Sequence, residues 1–65
     1  MKVSDVEKRV EAIRNGSADD KTAHADEDLL YYDVLKSIAF GAKNAQELAR
    51  AALQTKKIGF ERWYA

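Results

Sequence analysis

Asn44-Ala45-Gln46-Glu47-Leu48-Ala49-Arg50-Ala51-Ala52-Leu53 holds the cleanest periodicity in this chain. Ala45, Leu48, Ala49, Ala52 and Leu53 recur at i, i+3, i+4, i+7 and i+8, which is one face of an α-helix. Three of these five residues are alanine, so a neighbouring backbone can approach this face closely. Asn44 is placed to cap the helix and Glu47 to reach back to it, a capping-box arrangement. The spacing predicts a helix over about 44–56. Just upstream, Gly41-Ala42-Lys43 leaves room only for a short connection, which sets the preceding helix alongside.

That preceding helix is expected over about 23–40. Leu30, Val34 and Ile38 form one row, and Tyr31, Leu35 and Ala39 form the adjacent one, with Ala42 beyond. Together they make a wide apolar face. Asp26, Glu27 and Asp28 in its early turns suit the positive end of the helix dipole. Gly41 is its natural terminator. Residues 16–22 read as a polar connection in which Ser17, Asp19, Asp20 and Thr22 are all candidate caps.

A first helix is expected over about 4–15, with Ser4 as cap, Glu7 completing a capping box, and Asn15-Gly16 as the stop. Val6, Val10 and Ile13 form its narrow apolar stripe. So few apolar residues cannot hold a helix of that length in water, so it must dock. Near the end of the sequence, Phe60, Trp63 and Tyr64 fit i, i+3, i+4 and predict a short turn or helix over 59–64. No stretch alternates with period two, so no strand is expected. The fold class is therefore all-α: one domain of three helices with a short C-terminal helix or turn. The expected core is Val6, Val10, Ile13, Leu30, Val34, Leu35, Ile38, Leu48, Ala49, Ala52, Leu53, Phe60 and Trp63.

Composition bounds the function. The 65 residues balance 11 Lys+Arg against 11 Asp+Glu, with no cysteine and no proline. A disulfide, a cysteine zinc site and a thiol nucleophile are excluded. No apolar run approaches the roughly 18 residues of a membrane span. Met1-Lys2-Val3-Ser4-Asp5 has no apolar segment behind it, which argues against a signal peptide and for a cytoplasmic location. A core this small rarely supplies more than about 3–5 kcal/mol on its own, so self-association into a homo-oligomer is a reasonable expectation.

Charge is segregated: residues 19–33 sum to −5 and residues 36–62 to +4. The two halves can attract each other within one fold or head-to-tail between chains. His24 is the single imidazole, with Asp20 and Asp28 four residues to either side. With Asp26 and Glu27 that cluster suits at most weak cation binding, and a solvated acidic helix start is the better reading; no metal or cofactor is expected. His24 has no visible nucleophile to serve and the short helices leave little room for a cleft, so the chain is not expected to be an enzyme.

The stretch Val34–Arg50 has the rhythm of a helix, a glycine-containing turn and a second helix, as in many DNA-binding proteins. Lys43, Arg50, Lys56, Lys57 and Arg62 are the candidate phosphate contacts of that reading. Zero net charge and an acidic block give a weak footprint for it. The candidate protein contacts are Tyr31, Tyr32, Phe40, Trp63 and Tyr64. Trp and Tyr are favoured interface anchors, and Tyr32 and Phe40 lie off the main apolar face of their helix.

From Glu27 onward a further pattern emerges. Glu27-Asp28, Asp33-Val34-Leu35, Ile38-Ala39, Gly41-Ala42, Leu48-Ala49, Ala52-Leu53, Thr55, Ile58, Phe60 and the closing Arg62-Trp63-Tyr64-Ala65 resemble small open reading frames of actinobacteria and their bacteriophages. Val6, Val10-Glu11 and Ala23-His24 resemble the front of those proteins, and Phe-x-Arg-Trp-aromatic-Ala is the most specific part. The resemblance implies one small helical domain of phage or actinobacterial origin and carries over no catalytic residue. Lys56-Lys57-Ile58-Gly59 departs from it, since more acidic residues belong there, and the basic patch could mark a change of partner. The expected function is non-enzymatic protein–protein interaction, a phage accessory protein that engages a host protein or itself. A small nucleic-acid-binding or transcription-modulating protein is the alternative.

Overall fold

Three helices pack pairwise against one another in a computed structural model that describes residues 1–62. They are α1 (Val3–Asn15), α2 (Asp20–Ala39) and α3 (Ala45–Leu53), and α3 runs directly into a 3-10 turn at Gln54–Lys57. No strand occurs among the described residues. The fold is all-α, as the periodicities require.

Helix ends depart from the sequence expectations in instructive ways. α1 starts at Val3, one residue before the expected cap Ser4. The Lys2 backbone N–H donates to the Asp5 carboxylate at 3.0 Å, so Asp5 does the work expected of Glu7. Gly16 closes α1 with φ −97°, without entering the left-handed region. α2 starts at Asp20, three residues earlier than expected, because Asp19 wins the competition to cap it. The Asp19 carboxylate accepts from the Thr22 N–H at 3.2 Å and the Thr22 hydroxyl at 3.0 Å.

Gly41 ends α2 as expected. It is the one positive-φ residue among those described, at +93°. The Gly41 N–H donates to Ile38 and the Ala42 N–H to Ser37, at 3.0 and 3.1 Å, which is the Schellman pattern. Asn44 precedes α3 without a side-chain cap bond. Its amide instead donates to the Met1 carbonyl at 3.3 Å, tying the chain start to the α2–α3 connection.

The expected turn or helix over 59–64 is not what forms in its described part. The helical path stops at Lys57, and residues 58–62 continue without regular structure. Trp63 and Tyr64 lie outside the described residues.

The core is built from Val6, Val10 and Ile13 of α1, Ala23, Leu30 and Val34 of α2, Leu48 and Ala52 of α3, and Ile58. Ile38, Ala49 and Phe60 are half-buried. Leu35 and Leu53, both expected in the core, are 65% and 56% exposed. α2 offers two adjacent apolar rows; the row carrying Leu30 and Val34 is buried in the core, whereas in the other Tyr31 is half-buried and Leu35 and Ala39 are exposed.

Leu30 and Leu35 therefore separate in a simple test. Leu30→Ala is expected to cost about 2–5 kcal/mol, comparable with the whole stability of a domain this size. Thermal unfolding in dilute solution, followed by circular dichroism, should lose its cooperative transition or shift sharply down. Leu35→Ala should stay within about 0.5 kcal/mol of wild type. Equal losses would contradict the exposure of Leu35.

Candidate functional site

Two features stand out: a buried polar cluster at the start of α2 and an apolar groove between α2 and α3.

The cluster centres on Glu27, which is only 2% exposed. The stripe Ala23, Glu27, Leu30, Val34 is the buried face of α2, so the helix carries this carboxylate into the core. Arg62 meets it from 35 residues away. Arg62 Nε donates to Oε1 at 2.9 Å and Nη2 to Oε2 at 3.2 Å, a two-pronged pairing. Nη2 also donates to the carbonyls of Thr55 and Ile58 at 2.7 and 3.0 Å. Nη1 donates to the Phe60 carbonyl at 3.2 Å, and the guanidinium stacks 3.8 Å from the centre of the Phe60 ring. One side chain thereby bonds three carbonyls in and just after the 3-10 turn and fixes residues 58–62 to α2.

Thr55 is fully buried beside this pair, with its hydroxyl 2.5 Å from the Tyr31 hydroxyl. Either hydroxyl can donate in that contact, and hydrogen bonding from Thr55 also favours the ionised form of Glu27. Burial alone would push the Glu27 carboxyl up. The bonds from Arg62 and Thr55, with the charges of Arg62 and Lys56, outweigh it and hold the group below its ordinary value. Burial raises the Tyr31 hydroxyl, and the Glu27 charge adds to that. The members of the cluster bond to one another and tie the segment after the 3-10 turn to α2, which makes the cluster a structural knot.

The groove is lined on the α2 side by Tyr31, Val34, Leu35 and Ile38. Ala49, Ala52 and Leu53 form its α3 wall. Its volume is about 240 Å³. Leu35 and Leu53 stand on its two rims, and the alanines let α3 lie close enough to form its floor. Lys56 Nζ sits 5.9 Å from the centre of the Tyr31 ring, at one end.

The candidate protein contacts fall into different surroundings. Tyr32 and Phe40 are exposed, at 61% and 82%. Lys36 Nζ stands 6.0 Å from the Tyr32 ring centre. Tyr31 is half-buried and bonded to Thr55, so it is a wall of the groove and not a free anchor. Trp63 and Tyr64 lie outside the described residues. Among the candidate phosphate contacts, Lys43, Arg50 and Lys57 are exposed, whereas Arg62 is held by Glu27.

The acidic cluster around His24 is dispersed. His24 Nε2 lies 3.8 Å from Asp28 Oδ1, and the Asp20 carboxylate accepts the Glu61 N–H at 3.3 Å. Glu27 points inward. Among the described residues no three His, Asp or Glu side chains converge as metal ligands. Asp33, also part of the acidic block, pairs with Arg9 of α1 at 2.8 Å.

Sequence reasoning missed Glu27, Thr55, Ala23 and Ile58 as buried residues, and it expected Leu35 and Leu53 to be covered. A signal for Glu27 was present: an acid at i+4 from Ala23 and i−3 from Leu30 lies inside the apolar stripe. Comparison with protein families, with curated proteins and with solved structures gives no match. Among the described residues no helix is long and apolar enough to cross a membrane.

The knot makes two linked predictions. Arg62→Ala strands a buried carboxylate and is expected to cost about 3–5 kcal/mol, measured by denaturant unfolding. Stability from ionised Glu27 is present above its ordinary value of 4.5 and is lost as pH falls through the lower folded value. The wild-type melting temperature should therefore drop on acidification below about pH 4.5. Glu27→Gln should start lower at neutral pH and lose less. Parallel acid profiles for the two would show that Glu27 does not carry this linkage.

Proposed function

We propose that this chain is a non-enzymatic protein-interaction module that binds a protein partner through the groove between α2 and α3. The observation that carries the reading is the apolar groove with two exposed leucines on its rims, Leu35 at 65% and Leu53 at 56%. Contiguous exposed apolar surface on a small protein is costly and marks interaction sites. A groove between two helices suits an amphipathic helix of a partner. Phe40 and Tyr32 extend the exposed apolar surface on neighbouring sides of α2.

The polar chemistry supports the same reading. The buried polar cluster is satisfied internally, so its groups are spent on the fold. The nucleic-acid alternative loses Arg62 to Glu27, and Lys56 is drawn over the Tyr31 ring. The resemblance to small actinobacterial and phage reading frames supports reading such a module as an accessory protein acting in a host cytoplasm.

The test is capture of a partner from an actinobacterial extract on immobilised protein, with Leu53→Glu as the control. Leu53 is exposed, so this variant keeps the wild-type circular dichroism spectrum. A protein retained by wild type as salt rises from about 50 to about 200 mM, and lost from Leu53→Glu, is the expected result. Retention of nucleic acid that collapses steeply over that range would overturn the reading in favour of the alternative.

A further inference from the structure

Ala25, Asp28, Tyr32, Leu35 and Ala39 recur along α2 at intervals of three, four, three and four residues. That is the spacing of a coiled-coil seam. All five are exposed, and the seam runs beside the groove, sharing Leu35 with it. The row therefore has the form of a helix-pairing surface with no helix of this chain upon it.

The charges on and around this row favour one occupant. Lys21 opens the row four residues before Ala25, Asp28 follows in the N-terminal half of α2, and Lys36 flanks the row toward its C-terminal end. Such a row is self-complementary only when two copies run antiparallel. A two-fold axis between Asp33 and Val34 sets Tyr32 of one copy level with Leu35 of the other. The same register sets Asp28 level with Ala39 of the second copy, with Lys36 one turn before it on the same helix. Lys21 has no α2 residue of the second copy level with it. Ala39 is small enough to admit that carboxylate. A parallel pairing would instead put Asp28 beside Asp28 and Lys36 beside Lys36. The zero net charge of the chain removes any general repulsion between copies.

We infer that the partner of this surface is a second copy of the chain, bound antiparallel through α2, with Leu35 of each copy packed against Tyr32 of the other at the edge of the α2–α3 groove. Symmetry gives both copies the same contacts, the isologous arrangement of a closed dimer. This rests on the interaction reading above and names its partner.

Sedimentation velocity over a concentration series tests it, with circular dichroism to confirm folding. Wild type should pass from monomer to dimer as concentration rises. Leu35→Glu removes two apolar contacts per dimer and should weaken association by about 100-fold or more. Asp28→Lys should also weaken it, and adding Lys36→Asp should recover it. A wild type that stays monomeric throughout overturns self-pairing, as does a dimer that survives Leu35→Glu or a charge reversal without rescue. A monomeric wild type that still captures an extract protein through Leu53 overturns self-pairing alone and leaves the module reading standing. Absence of both dimer and captured protein overturns the two together.

Discussion

The pairing of Glu27 with Arg62 is the constraint on which the arrangement of this small domain turns. A carboxylate carried into the core by its place on α2 has to be met by a cation and by hydrogen-bond donors, or the helix cannot dock. Arg62 and Thr55 supply both. In doing so Arg62 folds residues 58–62 back along the start of α2, and the Glu61 N–H reaches Asp20. Ile58 then joins the core beside the helices. One ion pair thus decides where the chain goes after α3.

Replacing a buried pair by apolar residues is often neutral or stabilising, so bulk stability is a poor explanation for this one. Its geometry suggests a different role: fixing a unique path. The guanidinium bonds to three separate carbonyls and lies on the Phe60 ring, so only one placement of the segment satisfies it. An apolar contact at the same place would tolerate several. In a domain with so few large core side chains, that selectivity is worth having.

The same economy explains the groove. Three short helices cannot enclose every apolar row they carry. α1 and α3 close over Leu30 and Val34, and the remaining row of α2 is left beside the small residues of α3. Ala49 and Ala52 bring the two helices together without filling the space above them, so Leu35 and Leu53 end as rims. The interaction reading and the fold thus share one cause, which is an apolar surface larger than the chain can cover by itself.

Much of the fold was legible from local pattern. The stripes Val6–Val10–Ile13 and Leu30–Val34, the helical period through Leu48 and Ala52, and the stop at Gly41 follow from periodicity and backbone chemistry that act within a few residues. The position of Tyr32 and Phe40 off the main face was legible for the same reason, but their exposure was not, since from sequence alone the first helix or the tail is expected to cover them. Leu35 was not, because it and Leu30 look equally apolar on the helix, and the choice between them depends on where α3 crosses. Glu27 was read as a helix-dipole acid, a local effect, whereas its real partner lies 35 residues away. By itself the sequence determined an all-α chain, its helices and their apolar stripes, because those interactions are short-range. Only the tertiary structure decided which rows are covered, which charges are buried and where the groove opens, because those depend on contacts between residues far apart in the chain.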